Sequence, residues 1–453
     1  MNPLTNCKNI YFIGIGGIGM SALARYFNTQ GVVVSGYDKT PTLLTDALIE
    51  EGIQIHFEDD LNKIDKAATV IVYTPAIPSE HGELNYYREN KYLVVKRSDV
   101  LQWITENAFT IAIAGTHGKT TTTSMTAHIL RHTGYGCNAF LGGIATNYNT
   151  NFWSHEKNVV VVEADEYDRS FLKLAPNIAV ITAVDPDHLD IYGTAEEVVK
   201  AFGEFSDKIK SGGVLIQKWG TEFNTNTSNK TVLSYGYNHN EASYHTINLK
   251  VVEGSYHFDL VHPAGVCKNI MLNMGGLHNV ENVSAAIAIA LSLGIEEVKI
   301  KEAVASFAGV KRRFEYKVKT PNKVLIDDYA HHPEELNALI SGVRSLYPNE
   351  KMVLVFQPHL YSRTKDQCDG FVETLDKADE VILLPIYPAR ELPMEGVSSE
   401  MLLAKMKLSH KKIMSKEALY DWAANSQDKL IVMAGAGDID TCILKVQEIL
   451  TKK

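Results

Sequence analysis

The stretch "FTIAIAGTHGKTTTTSM", Phe109 to Met125, limits what this chain can fold into more than any other. An apolar strand runs into two glycines and a lysine, and a threonine-rich helix follows, which is the context a phosphate loop requires. Backbone N–H groups of Gly115, Thr116, His117, Gly118 and Lys119 are placed to cradle a triphosphate. Lys119 is suited to neutralise its β- and γ-oxygens, and Thr120 or Thr121 to face Mg²⁺. The loop departs from G-x-x-x-x-G-K-[ST] in that Ile113 stands where the first glycine belongs and Gly115 comes two residues later. A bare glycine turn before a helix is the plainer reading, but a lysine set between a glycine and four threonines has little packing rationale. ATP binding on a parallel α/β sheet is the expectation.

The acidic residues that such a loop needs come next. "NVVVVEAD" ends a strand at Glu163, where a phosphate-loop enzyme places a carboxylate toward magnesium. Glu163, Asp165, Glu166 and Asp168 also fit a solvated acidic turn, but the strand before them favours a site. "DPDHLDIYG" follows another strand and supplies Asp187, His188 and Asp190. Magnesium prefers oxygen, so the residues alone leave His188 open between a ligand and a hydrogen-bonded loop histidine. "GLHNVENVSAA" puts Asn279 and Asn282 on one helix face, either reading a purine edge or, more simply, as a helix cap and an exposed amide. In "VKRRFE", Arg312 and Arg313 either reach a γ-phosphate or are merely solvated.

A second glycine turn lies near the start. "IYFIGIGGIGMSAL" gives a strand, Gly14-x-Gly16-x-x-Gly19 and a helix, as in a dinucleotide-binding βαβ unit. Asp38 follows the next strand, 38 − 19 = 19 residues past Gly19, where an acid commonly binds a ribose hydroxyl. The fingerprint suits a nicotinamide cofactor or another diphosphate equally well. In the last third, "DDYAHHPEE" gathers Asp327, Asp328, Tyr329, His331 and His332 at one strand end, and "FQPHLYSRT" adds His359 and Arg363 at the next. Ligands of open α/β sheets favour that edge, so an anionic or zwitterionic substrate is expected there.

The 453 residues are 45% hydrophobic and 22% charged, as in ordinary globular proteins. The pattern of strands and helices predicts an α/β fold of three domains: a Rossmann-like domain at 1–107, a phosphate-loop ATPase-like domain at 108–313 and a Rossmann-like domain at 314–453. Around Thr221 to Cys267 the alternating polar pattern predicts antiparallel strands. A net charge of −10 argues against a nucleic-acid partner. No apolar run approaches the roughly 20 residues that span a bilayer, and the five scattered cysteines look like packed thiols, so a cytoplasmic protein without membrane insertion is expected.

In this order, "GTHGKTTTT", "EADEYD", "DHLDIYG", "HNVEN", "RRFE" and "DDYAHHP" resemble the Mur ligases, ATP-dependent amide-forming enzymes of the peptidoglycan stem, across essentially the whole chain. "GIGGIGMSALA" and "FQPHLYSRT" resemble most the branch that joins L-alanine to UDP-N-acetylmuramate; a branch that recycles murein tripeptide shares much of the pattern. The resemblance implies that Gly14, Gly16, Gly17, Ile18 and Gly19 hold the diphosphate of a UDP-sugar, with Asp38 and Thr74, Pro75, Ala76 and Ile77 on the uridine side. It implies ATP at Gly115 to Thr121, at Asn279 and Asn282 and at Arg313 and Asp328, and Mg²⁺, or Mn²⁺ in its place, at Thr120, Glu163 and His188. L-alanine would meet Tyr329, His331, His359 and Arg363. Lys119, Glu163, His188, Arg313, His331 and His359 would carry the catalysis. Leu360 departs from relatives that have arginine there, and the oligomeric state stays open between monomer and homodimer. A nicotinamide dehydrogenase would leave the phosphate loop without a role. A nucleotide-binding scaffold would leave the lysine and carboxylates without one.

Overall fold

The computed structural model describes residues 3–186, 189–389 and 391–452. Three sheets carry the architecture. The first joins β1 (Asn9–Ile13), β2 (Val33–Tyr37), β3 (Gln54–His56), β4 (Val70–Tyr73) and β5 (Leu93–Lys96) in the order 3-2-1-4-5, all pairs parallel. Helices cover both faces of such a sheet, which is why β1 reads as the unbroken apolar run "NIYFI" and is buried from Ile10 onward. The order reverses between β1 and β4, and the glycine turn after β1 stands at that reversal, where α/β sheets bind ligands.

The second sheet has ten strands: β6 (Phe109–Ala114), β7 (Asn138–Ala145), β8 (Thr150–Trp153), β9 (Val159–Glu163), β10 (Ile178–Ile181), β11 (Gly213–Lys218), β12 (Lys230–Tyr237), β13 (Tyr244–Val252), β14 (Ser255–His262) and β15 (Gly265–Leu272). Their order is 15-14-13-12-11-10-6-9-7-8. β6 lies between β9 and β10 and is parallel to both, so the three loops leaving their C-terminal ends share one edge. The Thr221–Cys267 region, expected to be antiparallel, is mixed. β12 runs parallel to β11 and to β13, whereas two-residue links join β13 to β14 and β14 to β15. Links that short reverse the chain, so these last pairs are hairpins. Glu253 and Gly254, with φ of 50° and 71°, form the first of them as a turn that needs positive φ at both residues.

The third sheet orders β16 (Glu315–Lys319), β17 (Val324–Asp328), β18 (Met352–Phe356), β19 (Glu380–Leu383), β20 (Lys411–Ile413) and β21 (Leu430–Ala434) as 16-17-21-18-19-20. Only β16 is antiparallel to its neighbour. By internal contact the chain divides into one unit of 1–247, 259–270 and 281–305 and a second of 248–258, 271–280 and 306–453. Among the described residues no helix is long and apolar enough to cross a membrane. All five cysteines are unpaired, and four are buried.

Candidate active site

Within the first unit, the phosphate loop is shaped by the residues that follow β10. Gly115 has φ 135° and Gly118 φ 81°, backbone that side chains disfavour. A Cβ on Gly115 would strike Thr182 Oγ1 and the backbone at 182 and 183. The Thr116 N–H donates to Ala183 O at 3.1 Å, the Asp185 N–H donates to Thr116 Oγ1 at 3.1 Å, and the Thr182 hydroxyl donates to the carbonyls of Ala114 and His117. The helix Lys119–His132 then begins with no side-chain cap, leaving its first N–H groups directed at the loop.

Lys119 Nζ donates to Glu166 Oε1 at 2.7 Å and to Gly115 O at 2.6 Å. Glu166 is 1% exposed, and its burial raises the carboxyl pKa even though Lys119 draws it down. The sequence grouped Glu166 with Glu163, Asp165 and Asp168 as acids that favour a site without giving it a role of its own; its partnership spans 47 residues and has no local signature. The Thr120 hydroxyl donates to Glu163 Oε1 at 3.1 Å. A Cβ on Gly142 would overlap the Glu163 carboxylate, so β7 leaves room for that carboxylate only by carrying glycine there. Two hard oxygen donors beside a phosphate loop fit magnesium, which takes one or two protein oxygens and completes its shell with phosphate and water. His188, with Asp187, lies outside the described residues. No group of three or more His, Cys, Asp or Glu suited to a metal occurs among the described residues.

Asn279 and Asn282 correct the simpler of their two readings. Asn279 lies inside the first turn of the helix Leu277–Ser292 rather than at the cap position before it, and donates from Nδ2 to Gly275 O at 2.6 Å. Asn282 is 6% exposed rather than solvated, and its Oδ1 would be 2.7 Å from a Cβ on Gly118, so it lies against the phosphate loop.

The N-terminal turn is built from the residues the sequence grouped there. Gly14, at φ 88°, donates to Tyr37 O at 2.8 Å, and a Cβ on it would be 2.9 Å from Thr74 Cγ2 and 3.3 Å from Ile77 Cδ1. Thr74, Pro75, Ala76 and Ile77 form a turn closed by Ile77 N–H to Thr74 O at 3.1 Å. Asp38 Oδ2 accepts from Gly16 N at 2.7 Å, and Oδ1 from Thr40 N at 3.2 Å. The helix Ile18–Thr29 starts at Gly17 without a side-chain cap, so its first N–H groups stay open to an anion.

In the second unit the two histidine segments meet. Rings of His331 and His359 lie 6.1 Å apart edge to face, His331 and His332 4.7 Å apart, and Tyr329 and His331 5.1 Å apart. Arg363 Nη1 is 3.2 Å from His359 Nδ1, and Tyr387, which the sequence did not single out, stacks on His359 at 5.7 Å. Burial lowers the pKa of both His331 and His359, and Arg363 adds to the lowering, which favours neutral rings able to accept a proton. Leu360 sits at φ 69°, ψ 136°, a costly conformation for leucine, with its N–H bonded to Tyr387 O at 2.9 Å. Asp328 accepts from Phe314 N at 2.7 Å and Ala330 N at 2.8 Å, and burial raises its carboxyl to about 6. Arg313 is exposed. Arg312 is not solvated: it lies over the Tyr329 ring at 5.0 Å, bonds Gly435 O and approaches Asp327 at 3.7 Å.

Three family models match in sequence order: "Mur ligase family, catalytic domain" over 9–108, "Mur ligase middle domain" over 113–290 and "Mur ligase, glutamate ligase domain" over 312–437. The chain belongs to the Mur ligase family. Among similar Mur ligases, the UDP-N-acetylmuramate--L-alanine ligase of Flavobacterium johnsoniae is 47% identical over 99% of each chain. The enzyme of that name from Porphyromonas gingivalis is 47% identical over 98% of this chain and 99% of its own. The crystal structure of the UDP-N-acetylmuramate-alanine ligase of Thermotoga maritima is 28% identical, covers 99% of each chain and superposes with a TM-score of 0.81. A murein peptide ligase from Psychrobacter arcticus, 21% identical over 98% of this chain and 99% of its own, shares the Mur ligase fold with a TM-score of 0.66.

Proposed function

We propose that this Mur ligase joins L-alanine to the lactyl carboxylate of UDP-N-acetylmuramate at the expense of MgATP, in peptidoglycan precursor synthesis. The observation that carries the reading is the phosphate loop itself, with Thr120 bonded to Glu163 and Lys119 to Glu166, in a chain 46–47% identical over 98–99% of its length to ligases named for that reaction. The muramyl carboxylate attacks the γ-phosphorus in line, giving an acyl phosphate and ADP; the alanine amine then attacks the carbonyl and expels phosphate. No enzyme nucleophile is needed, so positioning and charge stabilisation supply the catalysis.

In this reading Gly14 to Gly19 hold the diphosphate, with Asp38 and Thr74 to Ile77 lining the uridine side. Residues 115–121 hold the ATP phosphates and Lys119 leaves Glu166 to meet them. Thr120 and Glu163, with His188, hold magnesium, or manganese in its place, which when bound neutralises charge on the transferring phosphoryl group. Asn279 and Asn282 face adenine, Arg313 and Asp328 serve the nucleotide, and Asp328 also organises the chain at Phe314 and Ala330. Tyr329, His331, His359 and Arg363 receive L-alanine, Arg363 binding its carboxylate and a neutral histidine of the pair taking the amine proton. The labour divides as 1–107 for the UDP-sugar, 108–313 for ATP and 314–453 for the amino acid, and the reaction belongs in the cytoplasm, with its substrates.

The test is phosphate release by purified protein with MgATP and UDP-N-acetylmuramate, with and without L-alanine, and the product mass. Release that needs both substrates, with a gain of one alanyl residue, is expected. Amide formation with a stem tripeptide but not with alanine would replace this reading by the recycling one.

A further inference from the structure

We propose that Arg97 binds the carboxylate of the acceptor sugar and is the residue by which the enzyme tells the sugar acid from a neutral nucleotide sugar. The inference rests on the function proposed above. Arg97 follows β5 directly and opens the helix Arg97–Glu106, at the edge where the first sheet presents its strand ends. On one side its guanidinium lies over the first turn of the Ile18–Thr29 helix: a Cβ on Gly19 would be 3.0 Å from Nη1 and 3.2 Å from Cδ. On the other, Nη2 is 3.5 Å from Asp165 Oδ2, in the turn that follows Glu163. Arg97, Ser98, Glu163, Asp165, Ser170 and Phe171 line a common recess.

The donors on this side chain are uncommitted. Among the described residues the guanidinium makes no hydrogen bond, and its ion pair with Asp165 is longer than the roughly 2.7–2.9 Å of a charge-assisted bond. The side chain is only 25% exposed, so water reaches it poorly. The neighbouring cations are held: Lys173 by Asp99 at 2.5 Å and Ser98 Oγ at 3.0 Å, Lys119 by Glu166 at 2.7 Å. A substrate whose diphosphate rests on the glycine turn, and whose carboxylate must reach the γ-phosphate beside Thr120 and Glu163, crosses the span that Arg97 occupies. A planar guanidinium with free forked donors matches a carboxylate there.

The experiment compares, by calorimetry without ATP, binding of UDP-N-acetylmuramate and of UDP-N-acetylglucosamine, which lacks the lactyl carboxylate, to wild type, Arg97→Gln and Arg97→Lys, each checked for an unchanged melting temperature. Wild type should prefer the acid. Arg97→Gln should lose about tenfold or more in affinity for the acid and less than about twofold for the neutral sugar, with Arg97→Lys between. Equal weakening of both sugars would assign Arg97 to the diphosphate and overturn the proposal. Unchanged preference in Arg97→Gln would overturn it too, while leaving the function standing. A wild type that binds neither sugar would sink the functional reading and this one with it.

Discussion

The first unit contains two strand–glycine–helix turns, and they are braced in opposite ways. The turn after β1 is fastened by Asp38, which accepts a backbone N–H from Gly16, and it brings no cation of its own. The turn after β6 is clamped by hydroxyls of Thr116 and Thr182 and already holds Lys119, Thr120 and the Glu163 and Glu166 carboxylates. The same local geometry therefore serves two ends. One turn offers a rigid helix N-terminus on which an anion rests; the other assembles charges around the place where a phosphoryl group moves.

Removing the cation of the second turn should have the largest effect. Lys119→Met is expected to lower alanine-dependent phosphate release by about 10²–10³-fold while nucleotide-sugar affinity stays within about twofold. A fall in both would break the distinction between the two turns.

The helices behind the turns differ in their response to acid. The helix Lys119–His132 is docked by buried His128, whose Nε2 is 2.9 Å from Ala303 O and whose Nδ1 is 2.9 Å from Tyr148 Oη; the helix Ile18–Thr29 carries no histidine. Burial lowers the His128 pKa from 6.5 to about 4. As pH falls the unfolded chain takes the proton first, so this contribution is complete above about pH 6.5 and lost on the way to pH 4, by about 3 kcal/mol. Between pH 7 and 5 the melting temperature of wild type should drop further than that of His128→Gln.

Methyl groups on the two turns separate them again. In Gly115→Ala the new Cβ meets backbone at 182 and 183, whereas in Gly16→Ala it meets the ends of Thr45 and Asp38. Side chains yield and backbone does not, so Gly115→Ala should cost about 1–3 kcal/mol in thermal unfolding and Gly16→Ala less. The smallest expected effect is that of Asp38→Ala: about 1 kcal/mol, read as several-fold weaker nucleotide-sugar binding with ATP affinity unchanged.

What the sequence showed plainly was what short stretches encode. Both glycine turns are contiguous, each following an apolar strand and preceding a helix. The histidine segments follow β17 and β18, which are consecutive in the chain and present their C-terminal ends at one edge of the parallel sheet, although β21 lies between them. What it hid depends on distance along the chain. Glu166 finds Lys119 across 47 positions, and Asn282 lies on Gly118, so neither burial nor partner could be read from "EADEYD" or "HNVEN". Arg312 looked like a solvated linker residue because Tyr329, Asp327 and Gly435, which hold it, lie farther along the chain at the ends of β17 and β21. The parallel pairing of β12 with β13 escaped for a different reason: alternating polarity marks a half-exposed strand but not the direction of its neighbour.

Gly142 has no functional group, yet it faces the carboxylate of Glu163 so closely that even a methyl would occupy its space. A saturation screen scored by growth would mark position 142 as intolerant as a catalytic residue, and a compound that lodges against that bare backbone would jam the site without resembling any substrate.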